Sequence, residues 1–176
     1  MFATAAASAP AGTGGLPTSP DLLYHAEMLG RLLLAGACGA LIGWQRERKD
    51  KAAGLRTHML LALGSCTFTL AGLGMGGEDI LRLVQGALMG TGFICGGVIF
   101  RQGPTVRGLT TAVGLWILSA IGLACGAGEY FLAILGTIMA FAVMAGFYRV
   151  EERIDTEAGV PPHHGGPPGD TGGAEA

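Results

Sequence analysis

The chain has 176 residues, of which 50% are hydrophobic, only 14% are charged and 32 are Gly, against about 25% charged and about 7% Gly in ordinary soluble domains. Its net charge is −2 and no stretch interleaves dense Lys/Arg with aromatics, which excludes nucleic acid as a partner. From Thr57 to Tyr148 only Glu78, Asp79, Arg82, Arg101, Arg107 and Glu129 are charged, which excludes a soluble core and leaves an all-α, polytopic membrane protein.

Residues 1–21 read as a disordered extracytoplasmic tail. Met1–Pro20 has no charge and no apolar run, so it lacks the two regions of a signal peptide. A membrane domain is predicted over residues 22–149, built from five spans of about the 20 apolar residues a bilayer requires. The first is placed at about 25–45. Its charge-free part, Leu32–Gln45, is short, so the span is extended back through Arg31 and Glu27, which stand at i,i+4 with the acid first and are expected to snorkel to water. The remaining spans are predicted at 57–76, 81–100, 108–127 and 130–148. Residues 150–176 form a Gly/Pro-rich tail in which His163 and His164 are read as solvated. Nine of the eleven Lys/Arg follow spans 1, 3 and 5, whereas Asp21, Glu27, Glu78, Asp79 and Glu129 fall on the other side. The positive-inside rule then predicts an N-terminus outside and a C-terminus in the cytosol.

Small-xxx-small spacings occur at Gly39/Gly43, Gly86/Gly90, Gly92/Gly96 and Gly122/Gly126, the pattern that lets helices approach closely in lipid. Gly39, Gly43, Gly92, Gly96 and Gly97 are therefore expected to pack against neighbouring helices or, alternatively, to line a path. Cys38, Cys66, Cys95 and Cys125 fall one on each of the first four spans, without the spacing of a metal site or a disulfide framework. Spans 2 to 5 place neither an acid nor a His at mid-depth, which disfavours a carboxylate-based transporter. A channel filtered by the backbone of Gly90–Gly97 remains open as an alternative. No nucleophile–base pair, P-loop or HExxH is present, so the chain is not expected to be an enzyme, and no metal or cofactor is expected.

Two spans begin alike, with Gly54-Leu55-Arg56-Thr57 before span 2 and Gly108-Leu109-Thr110-Thr111 before span 4, 54 residues apart. This suggests a parallel two-helix repeat. Thr at these helix starts is expected to cap backbone N–H groups. A sharper reading joins Arg46, Arg56, Arg101 and Arg107 to Thr57, Thr110 and Thr111 as a cytosolic site for an anion, a lipid phosphate or a partner.

Three blocks resemble the MgtC/SapB family of bacterial inner-membrane proteins. They are Gly39–Gly43 continuing through Ala53-Gly54-Leu55-Arg56-Thr57-His58, then Gly92–Ile99 with Arg101, then Val106–Ala112 followed by Leu115-Trp116 and Gly122–Gly128. The resemblance implies a five-span protein of the inner membrane with a role in adaptation to low Mg²⁺ and, in pathogens, in virulence through survival within macrophages. Members are often labelled Mg²⁺ transporters, while the best-known one is thought to be a regulator. The expected partners are the lipid bilayer and either another membrane protein or further copies of the chain. Three departures stand out. Gln45 replaces the usual Glu of Gly-x-Glu-Arg, Met89 replaces a small hydroxyl residue, and a short tail follows span 5 where many members continue into a soluble domain.

Overall fold

A computed structural model of the chain describes residues 19–74, 80–102 and 105–157. The expected tails 1–18 and 158–176, with His163 and His164, and the loop acids Glu78 and Asp79 lie outside the described residues. Residues up to Phe141 belong to one compact unit, and a second unit begins at Ala142.

The chain forms five helices: α1 (Ser19–Glu47), α2 (Leu55–Gly74), α3 (Ile80–Val98), α4 (Leu109–Ala127) and α5 (Tyr130–Glu157). The first four are long and apolar enough to cross a membrane, whereas the apolar part of α5, Tyr130–Gly146, is shorter. Three boundaries differ from expectation. α1 begins at Ser19, inside the expected tail, and α5 continues past 149 to Glu157, because Arg and Glu are good helix formers and after Gly146 the next Gly and Pro come only at Gly159 and Pro161. α3 stops at Val98, just after Gly96-Gly97 and short of the expected 100, and two short strands form in the connection between the third and fourth spans. β1 (Phe100–Gln102) and β2 (Thr105–Arg107) pair antiparallel, with Phe100 opposite Arg107 and Arg101 opposite Val106.

Glycine faces set the packing. A Cβ on Gly39 would lie 2.8 Å from the His58 carbonyl oxygen, and one on Gly43 would lie 2.8 Å from Leu55 Cα, so α1 lies antiparallel on the α2 backbone. On α4, a Cβ on Gly122 would lie 2.5 Å from Ala62 O and one on Gly126 would lie 2.7 Å from Cys66 O. α2 and α4 therefore run parallel and in close contact. Ser65 and Ser119, separated by the same 54 residues as the two Gly-Leu turns, bond each other at 2.8 Å. Equivalent positions that touch one another imply an approximate twofold relation between α2 and α4. α1 and α3 then flank this central pair, α3 held by Thr91 Oγ1 to Ser119 Oγ at 3.0 Å and by Cys95 Sγ donating to Ala112 O at 3.1 Å.

Gly86, Gly90, Gly92, Gly96 and Gly97, by contrast, have no atom within 4 Å of an added Cβ. Among the described residues nothing packs against these glycines of α3. Gly86, Gly90 and Gly92 stand inside the helix, so their carbonyls belong to its own hydrogen-bond ladder, and the Gly96 carbonyl accepts from Ile99 N at 3.2 Å.

The two glycine classes separate by measurement. Gly122→Ala is expected to lower stability by about 1–3 kcal/mol through overpacking against backbone, read as a fall in the thermal midpoint of the detergent-solubilised protein. Gly96→Ala, in open space, is expected to leave that midpoint unchanged.

Candidate functional site

The polar groups of the bundle gather at its two poles and in one central layer. At the first pole α1 ends, α2 and α4 begin, and the β-hairpin lies. Gly43 lets α2 come so near that His58 Cβ would stand 2.9 Å from a Cβ on Gly43, and Arg46 follows one turn later on α1. Arg46 is only 5% exposed. Its Nη2 donates to Thr111 Oγ1 at 2.8 Å, while its Nε is buried with no partner. Among the described residues no carboxylate pairs with it. His58 is fully buried. Its Nδ1 bonds Gly54 O at 2.8 Å, and because a carbonyl only accepts, Nδ1 carries the proton and the bare Nε2 is left without a partner. Gln45 Oε1 is a third buried, unpartnered atom at this pole.

Thr does not cap either helix start. Glu47 Oε2 accepts from Leu55 N at 2.5 Å, so the cap of α2 comes from α1, with that carboxylate lying against Gly54. α4 starts from Gly108 at φ +90° with no side-chain cap, the Val98 carbonyl oxygen occupying the place of a Cβ. Thr111, expected as a cap, is buried and serves Arg46 instead. Below this layer Ala53, Cys95, Ala112 and Leu115 form a small apolar cluster that seals the pole from the interior.

The remaining residues of the expected site are spread across the same pole. Arg56 and Thr57 line a cleft of about 310 Å³ with Glu47, Asp50, Lys51 and Gly54. Arg101 stands on β1 and Arg107 on β2, and Arg107 and Thr110 are exposed. Of the expected set, the structure joins Arg46 and Thr111 by a hydrogen bond. Arg48 stacks on Trp44, its guanidinium carbon 4.1 Å from the ring centre.

The opposite pole is resolved differently. Arg31 does pair with Glu27 at 2.5 Å as the i,i+4 spacing implied, yet it does not simply snorkel to water. Its Nη1 donates to Gly126 O at 2.7 Å, one of the last carbonyls of α4. The turn that follows has Gly128 at φ +82° with its N–H on Cys125 O and Glu129 N–H on Ala124 O, and the Arg31 guanidinium packs where a Gly128 Cβ would be. Between the poles, Ser65, Ser119 and Thr91 join α2, α4 and α3, and all four cysteines are free and buried. Among the described residues no three His, Cys, Asp or Glu come together in a way that could hold a metal ion.

Glu47, His58 and the Ser65–Thr91–Ser119 layer were not singled out as a site from sequence. The legible signal for two of them was the 54-residue offset, which pairs Ser65 with Ser119.

Comparison with known proteins follows this geometry. The profile of the MgtC family matches residues 32–153. YhiD of Escherichia coli (strain K12), provisionally named a magnesium transporter, is 38% identical over 139 residues, covering 73% of this chain and 64% of the relative. SrpB of Synechococcus elongatus is 36% identical, covering 69% of this chain and 75% of that protein. MgtC of Brucella abortus is 42% identical over 115 residues, covering 64% of this chain and 48% of its own length. The chain thus spans between about half and three quarters of the relatives it matches. No solved structure matches it.

Two substitutions test the pole. Thr111→Val removes the one bonded partner of a buried guanidinium and is expected to cost about 1–3 kcal/mol. Glu47→Ala removes the α2 cap and is expected to cost about 1 kcal/mol. Both are read as shifts of the thermal midpoint, and no shift in Thr111→Val would show that Arg46 finds its partner elsewhere.

Proposed function

The chain belongs to the MgtC family, and from that premise we propose that it is a multi-pass protein of the bacterial inner membrane that serves adaptation to low Mg²⁺ by binding an anionic group at the Arg46 pole. The group is a lipid phosphate or an acidic side chain of a membrane partner. The reading is of a binder and regulator, neither an enzyme nor a carrier of Mg²⁺.

One observation carries it: Arg46 is a buried cation whose one bonded partner is a neutral hydroxyl and whose Nε is buried without a partner. An uncompensated buried charge is costly, and a bound anion relieves it. Helix dipoles sharpen the demand, because α2 and α4 both point their positive ends at this pole. Residues 46–56 with Arg101 and Arg107 supply seven Lys/Arg against Glu47 and Asp50, a field that draws anionic headgroups. The link to Mg²⁺ is chemical: the divalent cation takes phosphate and carboxylate oxygens, so it competes with a guanidinium for the same groups, and scarcity of Mg²⁺ frees them.

Five spans, with the Arg46 pole in the cytosol, complete the proposal. Reporter fusions after Glu157 are expected to report cytosol and fusions near Gly76 the outside, and the reverse at either site would refute it.

The functional test compares Arg46→Lys with Arg56→Lys and Arg107→Lys in a deletion strain grown at low and high Mg²⁺. Burial moves the weight of the site from the exposed Arg56 and Arg107 to Arg46. Arg46→Lys is expected to accumulate normally yet fail at low Mg²⁺, since an ammonium lacks the planar fork. The two exposed variants are expected to complement, as cations of either type satisfy the surface field. Saturable Mg²⁺ flux into sealed vesicles by the purified protein would overturn the binding reading.

A further inference from the structure

α3 is the long helix that the rest of the chain covers least. Between it and α2 runs an apolar groove of about 1000 Å³, whose lining includes Leu60, Gly64, Phe68, Gly86 and Gly90, with Arg82 at one end and Thr57 at the other. Its glycines are the open ones, with no atom within 4 Å of an added Cβ.

The approximate twofold between α2 and α4 gives this groove a counterpart. It relates the α2–α3 seam to the α4–α1 seam on the other side of the central pair. The counterpart is closed: Arg46 ties α1 to Thr111 of α4, and α5 packs at this seam, with Ala133 and Thr137 buried and a Cβ on Gly136 only 3.3 Å from Ile121 of α4. On the groove side the position equivalent to Thr111 is Thr57, which is exposed, and among the described residues no helix covers it.

We propose that the α2–α3 groove receives α5 of a second copy of this chain. The first argument is the precedent: the related seam already accommodates this helix, there through its small face of Ala133, Gly136 and Thr137, which leaves the opposite face for a second copy. The second is shape. The outward face of α5 carries Phe131, Leu135 and Ile138 at i, i+4 and i+7, all exposed, a row of large side chains opposite a floor of Gly64, Gly86 and Gly90. The third is charge. Copies inserted alike in one membrane present α3 and α5 in the same direction, since both run antiparallel to α4. Arg82, near the start of α3, then lies at the depth of Glu129, just before the start of α5. Groove-to-groove docking would instead bring two Arg82 side chains together. Because α5 and the groove lie on opposite sides of the α2–α4 pair, the contact is head-to-tail and propagates into rows or rings rather than closing as a face-to-face dimer.

Oxidative cross-linking of the full chain in membranes tests this. Gly90→Cys and Ile138→Cys are made singly and co-expressed as differently tagged copies, with the unsubstituted chain as control for the buried native thiols. Cross-linked product is expected only when both variants are present, and the double variant is expected to give a ladder of higher species. Arg82→Glu is expected to lower the mixed product about tenfold, and adding Glu129→Arg in the same chain is expected to restore it, a rescue that misfolding would not give. Self-cross-linking of Gly90→Cys would establish the face-to-face dimer and overturn the proposal. A monomer without product, its groove filled by lipid or by another protein, would overturn it equally, as would a failed charge rescue.

Discussion

The bundle depends on how closely α4 approaches α2. In lipid, apolar side chains gain little by touching one another rather than acyl chains, so association relies on van der Waals contact between backbones and on hydrogen bonds. Gly122 and Gly126 bring α4 against the carbonyl oxygens of Ala62 and Cys66. At that separation two short hydroxyls can meet, and Ser65 bonds Ser119 directly. The same closeness sets the starts of α2 and α4 side by side and brings Thr111 within reach of Arg46 on the helix across the seam. α1 and α3 are left the two flanking seams, which they fill unequally: α1 with Gly39 and Gly43 pressed on α2, α3 with Thr91 and Cys95.

The helical architecture was legible because charge-free runs of membrane length are a long-range signal that local detail does not blur. Which small-xxx-small faces are used was not. Gly39/Gly43 and Gly122/Gly126 are consumed in the bundle while Gly86/Gly90 and Gly92/Gly96 are not, and spacing alone cannot say which neighbour a face will meet. Capping was misread for a related reason. Thr at a helix start is a local signal, but the acceptor that reaches Leu55 N comes from Glu47, eight residues earlier on another helix. Arg46 and Thr111 were in the expected site, yet their union, across 65 residues, is a product of the fold. His58 was visible only as a boundary residue, since its significance lies in burial and in an Nε2 left bare.

The two Gly-Leu turns show that a repeated sequence need not repeat its physics. Gly54 lies against the movable end of the Glu47 side chain, with no unusual backbone angle, whereas Gly108 is needed for a left-handed φ as well as for the Val98 carbonyl. The shared element is the placement of the helix start. Each half then finds its own way to stop the chain and turn it, one through a side chain and one through a strand pair that follows α3.

Both arginines within α1 contact α4, and they meet opposite ends of it. They stand 15 residues apart (46 − 31), about 22 Å along a helix. Arg31 donates to the Gly126 carbonyl at the negative end of the α4 dipole and keeps the Glu27 carboxylate beside it, so its charge is favoured twice. Arg46 bonds Thr111 at the positive end, where the dipoles of α2 and α4 both oppose a cation, and its partner is a neutral hydroxyl. Both guanidinium groups leave Nε buried without a partner, and the difference between the poles is that Arg31 has a carboxylate beside it, whereas among the described residues Arg46 has none. Geometry holds Arg46 in place, because the Gly43 contact leaves α1 no freedom to turn it outward without opening the seam with α2. A cation retained against both burial and dipole, at the pole where the remaining basic residues gather, is the observation on which the proposed anion site rests.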